Sequence, residues 1–84
     1  MAGATVAEQT RQAFTNMRAV LASQGLTVRS LVKVNIFLTD MGAFSECNAV
    51  YEEELEGWRP ARSVVEVSAL PMGALVEIEG VACR

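Results

Sequence analysis

Residues 30–40 read SLVKVNIFLTD and alternate without interruption. Successive side chains of a strand point to opposite faces. Val32, Val34, Ile36 and Leu38 therefore form one wholly apolar row, while Lys33, Asn35, Phe37 and Thr39 form the other. Such a strand packs on something on one side only. The chain on either side of it supplies what it packs on.

Residues 5–24, TVAEQTRQAFTNMRAVLASQ, predict a helix. Thr5 and Glu8 have the spacing of a capping box. Val6, Thr10, Ala13, Phe14, Met17, Val20 and Leu21 fall on one stripe at helical period, and Gly25 suits the position just past the end. A second helix is expected over about 41–56, with Asp40 as N-cap and Gly57 as its stop. Its buried stripe is Phe44, Cys47, Tyr51, Leu55 and Trp58, with Asn48 beside it. Glu52, Glu53, Glu54 and Glu56 read as a solvated face.

Two further strands follow. Residues 59–67, RPARSVVEV, open the first, over about 61–69. LPMG then predicts a type I turn. ALVEIEGVACR is the last strand, with Val76, Ile78 and Ala82 on one row and Leu75, Glu77, Glu79, Val81 and Cys83 on the other. Strand, helix, strand predicts a parallel crossover, and the short turn predicts an antiparallel hairpin. The expected fold class is α+β: a small mixed sheet with two helices packed on one face, as one domain over residues 1–84.

Composition narrows the chemistry. The chain has no histidine, and its cysteines, Cys47 and Cys83, are in no metal spacing. These facts remove the usual zinc sites and the histidine-activated nucleophiles. A net charge of -3, with scattered Lys and Arg, counts against a nucleic-acid backbone as partner. No apolar run approaches the ~20 residues of a membrane helix, and no leader pattern is visible, so the reading is cytoplasmic, with the mature part of an organellar protein as the alternative.

The second row of the sheet is then informative. Alternation assigns Val65 and Val67 to the helix side and Arg62, Val64 and Glu66 to the side away from the helices. The outer side would hold Lys33, Asn35, Phe37, Arg62, Val64, Glu66, Leu75, Glu77, Glu79 and Val81. Such a mixed face suits an interface between copies, or an open sheet with weak cross-strand ion pairs. Arg62 and Glu77, on strands taken as neighbours, are either a salt bridge or a site. In the site, an arginine fork holds a carboxylate beside a glutamate that handles water.

PARSVVEV, LP and VEIEGVA together resemble the C-terminal signature of the RidA/YjgF (L-PSP) family of enamine/imine deaminases. EQTRQAFTNMRAVLASQGLTVRSLVKVNIFLTDMGAFSECNAVYEE is similar, in register, to that family's first helix, central strand and second helix. The resemblance implies a chorismate-mutase-like homotrimer with clefts between subunits. It implies hydrolysis of reactive 2-imino and 2-amino-2-enoic acids to 2-keto acids and ammonia, with no metal and no cofactor. Arg62 matches the arginine that grips the substrate carboxylate, Glu77 the glutamate that manages water, and Asn48 an asparagine near the site. Val64 stands where many members have cysteine. The family's N-terminal strands, with their IGPYSQ-like and SGQ motifs, have no counterpart in the sequence. A carboxylate-binding member without catalysis is the alternative, and a ribonuclease or translation inhibitor a weaker one.

Overall fold

The computed structural model describes residues 5–84. Helix α1 spans Val6–Ser23 and begins as its capping box dictates. The Thr5 hydroxyl accepts the Glu8 amide at 3.1 Å, and the Glu8 carboxylate accepts the Thr5 amide in return. Glu46, from the second helix, accepts the Ala7 amide at 2.9 Å. Two carboxylates thus satisfy donors at the positive end of α1. Val6, Thr10, Phe14 and Leu21 are buried along it. Thr10 tolerates burial because its hydroxyl donates to the Val6 carbonyl at 2.7 Å. Val20, expected on the buried stripe, is 67% exposed, because it overhangs the outer edge of the sheet.

Strand β1 (Leu31–Leu38) is followed by α2 (Phe44–Leu55), β2 (Ala61–Glu66) and β3 (Val76–Ala82). Asp40 caps a short 3-10 turn over Met41–Ala43, accepting the Gly42 amide at 2.8 Å, and α2 starts after it. The sheet order is β2-β1-β3, with β1 parallel to β2 and antiparallel to β3. The parallel crossover is as expected, but the hairpin is not: β1 lies between β2 and β3. The connection wraps the end of β1, with the Val67 amide donating to the Leu38 carbonyl at 2.8 Å and the Thr39 amide to the Leu75 carbonyl at 3.2 Å. The expected type I turn is also replaced. Met72 and Gly73 both take positive φ, at 58° and 70°, which lets the chain reverse around the strand end. The most apolar strand takes the centre, where both its backbone edges are paired.

Both helices pack on one face of this sheet, and the core lies between. Phe14, Leu31, Val34, Ile36, Leu38, Cys47 and Leu55 are essentially inaccessible there. A register shift between Leu31 and Lys33 adds one residue to β1. It turns Leu31 into the core and leaves Val32, expected inside, half exposed. The Trp58 indole N–H fixes this start of the strand by donating to the Leu31 carbonyl at 2.9 Å.

The glutamates of α2 are not simply solvated. Arg11 of α1 reaches Glu53 at 2.6 Å and Glu54 at 3.2 Å, and Arg18 reaches Glu54 at 3.3 Å. The two helices are laced along their outer seam, in addition to the apolar contact beneath. Such partly exposed pairs add only about 0–1 kcal/mol each.

Strand β2 carries the main correction. Its parallel register sets Arg62 beside Val34, Val64 beside Ile36 and Glu66 beside Leu38. All three β1 residues point into the core, so Arg62, Val64 and Glu66 face the helices. Val65, expected inside, is 45% exposed. The faces of β2 are the reverse of what alternation of charge suggests. The charges are tolerated because each finds a partner at the rim of the core. Glu66 accepts the Met41 amide at 2.7 Å, and Arg62 meets α2.

Candidate functional site

Arg62 lies on β2, an edge strand, and reaches across to α2. Phe44, Asn48 and Tyr51 follow one another at i, i+4 and i+7 on that helix, so all three share one face. The Arg62 Nη1 donates to the Asn48 side-chain carbonyl at 2.5 Å. Its guanidinium carbon stands 4.8 Å from the Tyr51 ring centroid and 5.4 Å from that of Phe44. Tyr51 is nearly inaccessible, and Phe14 meets it edge-on at 5.9 Å and 70°. Burial pushes the Tyr51 phenol up in pKa, with the positive Arg62 opposing this in part.

Among the described residues, no carboxylate pairs with Arg62. Glutamates pair with Arg11, Arg18 and Arg59 instead. The Nε–Nη2 edge of Arg62 makes no hydrogen bond within the described residues. The arrangement presents a fixed cation whose charge is not cancelled, with one planar edge open. That is what a carboxylate needs for bidentate binding.

Arg62 and Asn48 are therefore brought together, and Glu77 is not brought to them. Glu77 lies beside Phe37 on β3, on the face away from the helices. Residues 34 and 37 of β1 differ in parity, so their neighbours Arg62 and Glu77 project from opposite faces. They also stand on the two outer strands, about 10 Å apart across the sheet. A groove of about 380 Å³ runs between α1 and the outer edge of β3, with Glu77 and Glu79 among its lining. It lies at the opposite edge from Arg62 and none of its lining residues is cationic, so it is no extension of the arginine site.

The open face is smaller and more ordered than the sequence implies. Val64 and Leu75 pack against the core instead. What remains is a row of Val65, Phe37 and Glu77, then a row of Ser63, Asn35 and Glu79, then a row of Ala61, Lys33 and Val81. In the second row, Ser63 donates to Asn35 at 2.5 Å, and Asn35 donates to Glu79 at 3.0 Å. This polar ladder crosses all three strands.

The aromatic platform under Arg62 was not among the sequence-derived site residues. The signal for it is the i, i+4, i+7 spacing of Phe44, Asn48 and Tyr51, which reads equally well as a core stripe.

Both cysteines are free thiols; Cys47 is buried beneath the site and Cys83 is exposed. Burial pushes the Cys47 thiol up, opposed by the Thr10 hydroxyl and by Arg62. At pH 8, a thiol-specific reagent is expected to modify one cysteine per chain rapidly, with Cys47 reacting only after denaturant is added. Rapid double labelling of the folded protein would contradict this packing. No helix among the described residues is long and apolar enough to cross a membrane.

The fold and site define a small α+β protein with an arginine on an edge strand that no carboxylate of the described residues neutralises. Comparison with known proteins gives it a family. The family model described as Endoribonuclease L-PSP matches residues 1–84, and the chain belongs to that family, which includes the RutC and YjgF/RidA proteins. It is 42% identical over 79 residues to a RutC family protein of Pyrococcus horikoshii, covering 94% of this chain and 63% of that one. It is 42% identical over 84 residues to the 2-iminobutanoate/2-iminopropanoate deaminase of Escherichia coli, covering 96% of this chain and 66% of the relative. Among solved structures it is similar to Escherichia coli TdcF with bound serine, with a TM-score of 0.90 and 35% identity. That match covers 98% of this chain and 67% of TdcF. The chain thus spans less than the full length of each of these relatives.

Proposed function

We propose that the chain hydrolyses reactive 2-imino and 2-enamino acids to 2-keto acids and ammonia, in an assembly of identical copies. The observation that carries this reading is the unneutralised, fixed guanidinium of Arg62 with its open Nε–Nη2 edge. Arg62 grips the substrate carboxylate there, and Asn48 holds the other side of the guanidinium. Glu77 handles water. Because it projects from the opposite face of its own chain, it serves the arginine of a neighbouring copy, at a cleft between protomers. The open sheet face, with Phe37, Val65 and Val81, is the surface on which copies meet, as a homotrimer. The named activity of the Escherichia coli deaminase and the serine bound to TdcF support a small amino-acid-like carboxylate as ligand.

The chemistry asks little beyond positioning. Glu77 accepts a proton from water as its oxygen attacks C2 of the imine. Glu77 passes that proton to the imine nitrogen, giving the carbinolamine. It then takes the hydroxyl proton and returns it to the amine as the C–N bond breaks, so that ammonia leaves and the 2-keto acid forms. The imine carbon is already electrophilic, so orientation of substrate and water supplies much of the rate. No step calls for a metal or a cofactor.

The decisive experiment compares hydrolysis of freshly generated 2-iminopropanoate by this chain and by Arg62→Ala. Loss of a charge-assisted fork is expected to lower kcat/KM by about 100-fold or more. Equal rates at background for two folded proteins would overturn the reading. A second reading, a carboxylate-binding member without turnover, is favoured by the separation of Glu77 from Arg62 within one chain. It predicts that pyruvate binds to this chain, less tightly to Arg62→Ala, and that neither accelerates the hydrolysis. The net charge of -3 and the scattered Lys and Arg of the sequence count against the RNA-directed alternative.

A further inference from the structure

Arg62 is held differently from the arginines paired with carboxylates. Among the described residues, Arg29, over Trp58 with the Glu56 carbonyl as acceptor, is the other arginine held by a ring, but it has one ring where Arg62 has two. Arg11, Arg18 and Arg59 are tied to glutamates. Such a partner fixes a guanidinium and cancels its charge at once. Arg62 has instead two aromatic faces and one neutral amide. An aromatic quadrupole attracts the cation without carrying a net charge, and the amide carbonyl contributes only a dipole. The side chain is oriented while its field stays available to an incoming anion.

The supports are themselves rigid. Phe44 and Tyr51 lie two turns apart on α2, so the helix sets their separation. The Tyr51 ring is locked from behind by Phe14. The backbone at Arg62 is fixed by its parallel pairing with β1. A long side chain on an edge strand would otherwise sample many rotamers, and binding would have to freeze them. The rings remove that freedom beforehand and set the plane in which a carboxylate can meet the Nε–Nη2 edge.

We infer that Phe44 and Tyr51 are positioning residues for carboxylate recognition. Together they hold the Arg62 guanidinium in the plane that accepts a 2-keto or 2-imino acid, and so set affinity for that class of ligand. This rests on the reading of Arg62 as the carboxylate binder. It goes beyond that reading by assigning recognition to the two rings.

The test uses pyruvate as a non-reacting probe and the 15N-labelled full chain. In the unsubstituted protein, the Arg62 Nε–Hε signal is expected to lie upfield, shifted by the rings. In Tyr51→Leu and in Phe44→Leu it is expected to move towards the position of a free arginine, with the Kd for pyruvate rising about tenfold in Tyr51→Leu and several-fold in Phe44→Leu. In turnover assays the same variants are expected to raise KM more than they lower kcat. Tyr51→Phe, which keeps the ring and removes the hydroxyl, is expected to recover affinity to within about twofold. A merely structural role for Tyr51 would not move the Nε–Hε signal in step with affinity. Folded Tyr51→Leu and Phe44→Leu proteins with unchanged Nε–Hε signals and unchanged Kd would overturn the inference. If Tyr51→Leu does not fold, the half-buried Phe44→Leu decides by the same two readouts. If the unsubstituted chain binds no pyruvate, the carboxylate reading of Arg62 fails and this inference with it. If it binds pyruvate but does not turn over the imine, only the deaminase reading fails.

Discussion

An equimolar mixture of Arg62→Ala and Glu77→Gln chains, refolded together, is expected to hydrolyse 2-iminopropanoate although each variant alone does not. The reason lies in the parity of β1. Arg62 pairs beside Val34 and Glu77 beside Phe37, so one projects towards the helices and the other away from them. On the proposed reading, a working site takes its arginine from one copy and its glutamate from the next. A site in the mixture is intact when the arginine comes from a Glu77→Gln chain and the glutamate from an Arg62→Ala chain. With random assembly that happens in about a quarter of sites, whatever the size of the closed ring. The expected rate is therefore about a quarter of that of the unsubstituted protein. Each variant alone should fall by about 100-fold or more, so the recovery is large against its background. Size-exclusion chromatography of the mixture would show that assembly survives the substitutions. A mixture no faster than its components, with assembly intact, would count against a shared site.

Some of this arrangement is legible in the residues and some is not. The capping box at Thr5 and Glu8 is local chemistry, and the structure reproduces it atom for atom. The faces of β3 follow from alternation alone, because Val76 and Ile78 have no rivals for the core. The face of β2 does not follow. Its two rows, Arg62-Val64-Glu66 and Ser63-Val65, differ little in apolar content, and charge sends the wrong one outward. What reverses them is distant in sequence: the rings and amide of α2 receive Arg62, and the Met41 amide receives Glu66. Strand order is nonlocal in the same way. The short segment between β2 and β3 suits a hairpin, yet the apolar β1 gains more by being central. Val32 is lost to a register shift that no periodicity can show. The resemblance named Arg62, Asn48 and Glu77 as site residues, but their distribution over two faces becomes visible only with the register.

Phe14→Ala is the substitution expected to cost the most stability, because Phe14 supports both the core and the site. It is fully buried and meets Tyr51 edge-on at 5.9 Å, and Tyr51 in turn lies under Arg62. Removing a buried phenylalanine costs about 3–5 kcal/mol. At about 0.05–0.15 kcal/mol per residue, a chain of 84 residues has only about 4–13 kcal/mol in all. The urea midpoint is therefore expected to fall steeply with little change in slope. Phe14→Leu, which keeps much of the volume and loses the edge-on contact, is expected to cost about 1 kcal/mol. The pair separates the two supports that Phe14 gives. If the ring contact matters for the site, Phe14→Leu should keep most of its stability while the Arg62 Nε–Hε signal broadens or shifts, because Tyr51 can then rock. An unchanged midpoint in Phe14→Ala would mean that α1 does not close the core as described. An unchanged Nε–Hε signal in Phe14→Leu would show that α2 alone holds Tyr51 in place, and that packing behind the ring sets stability without tuning recognition.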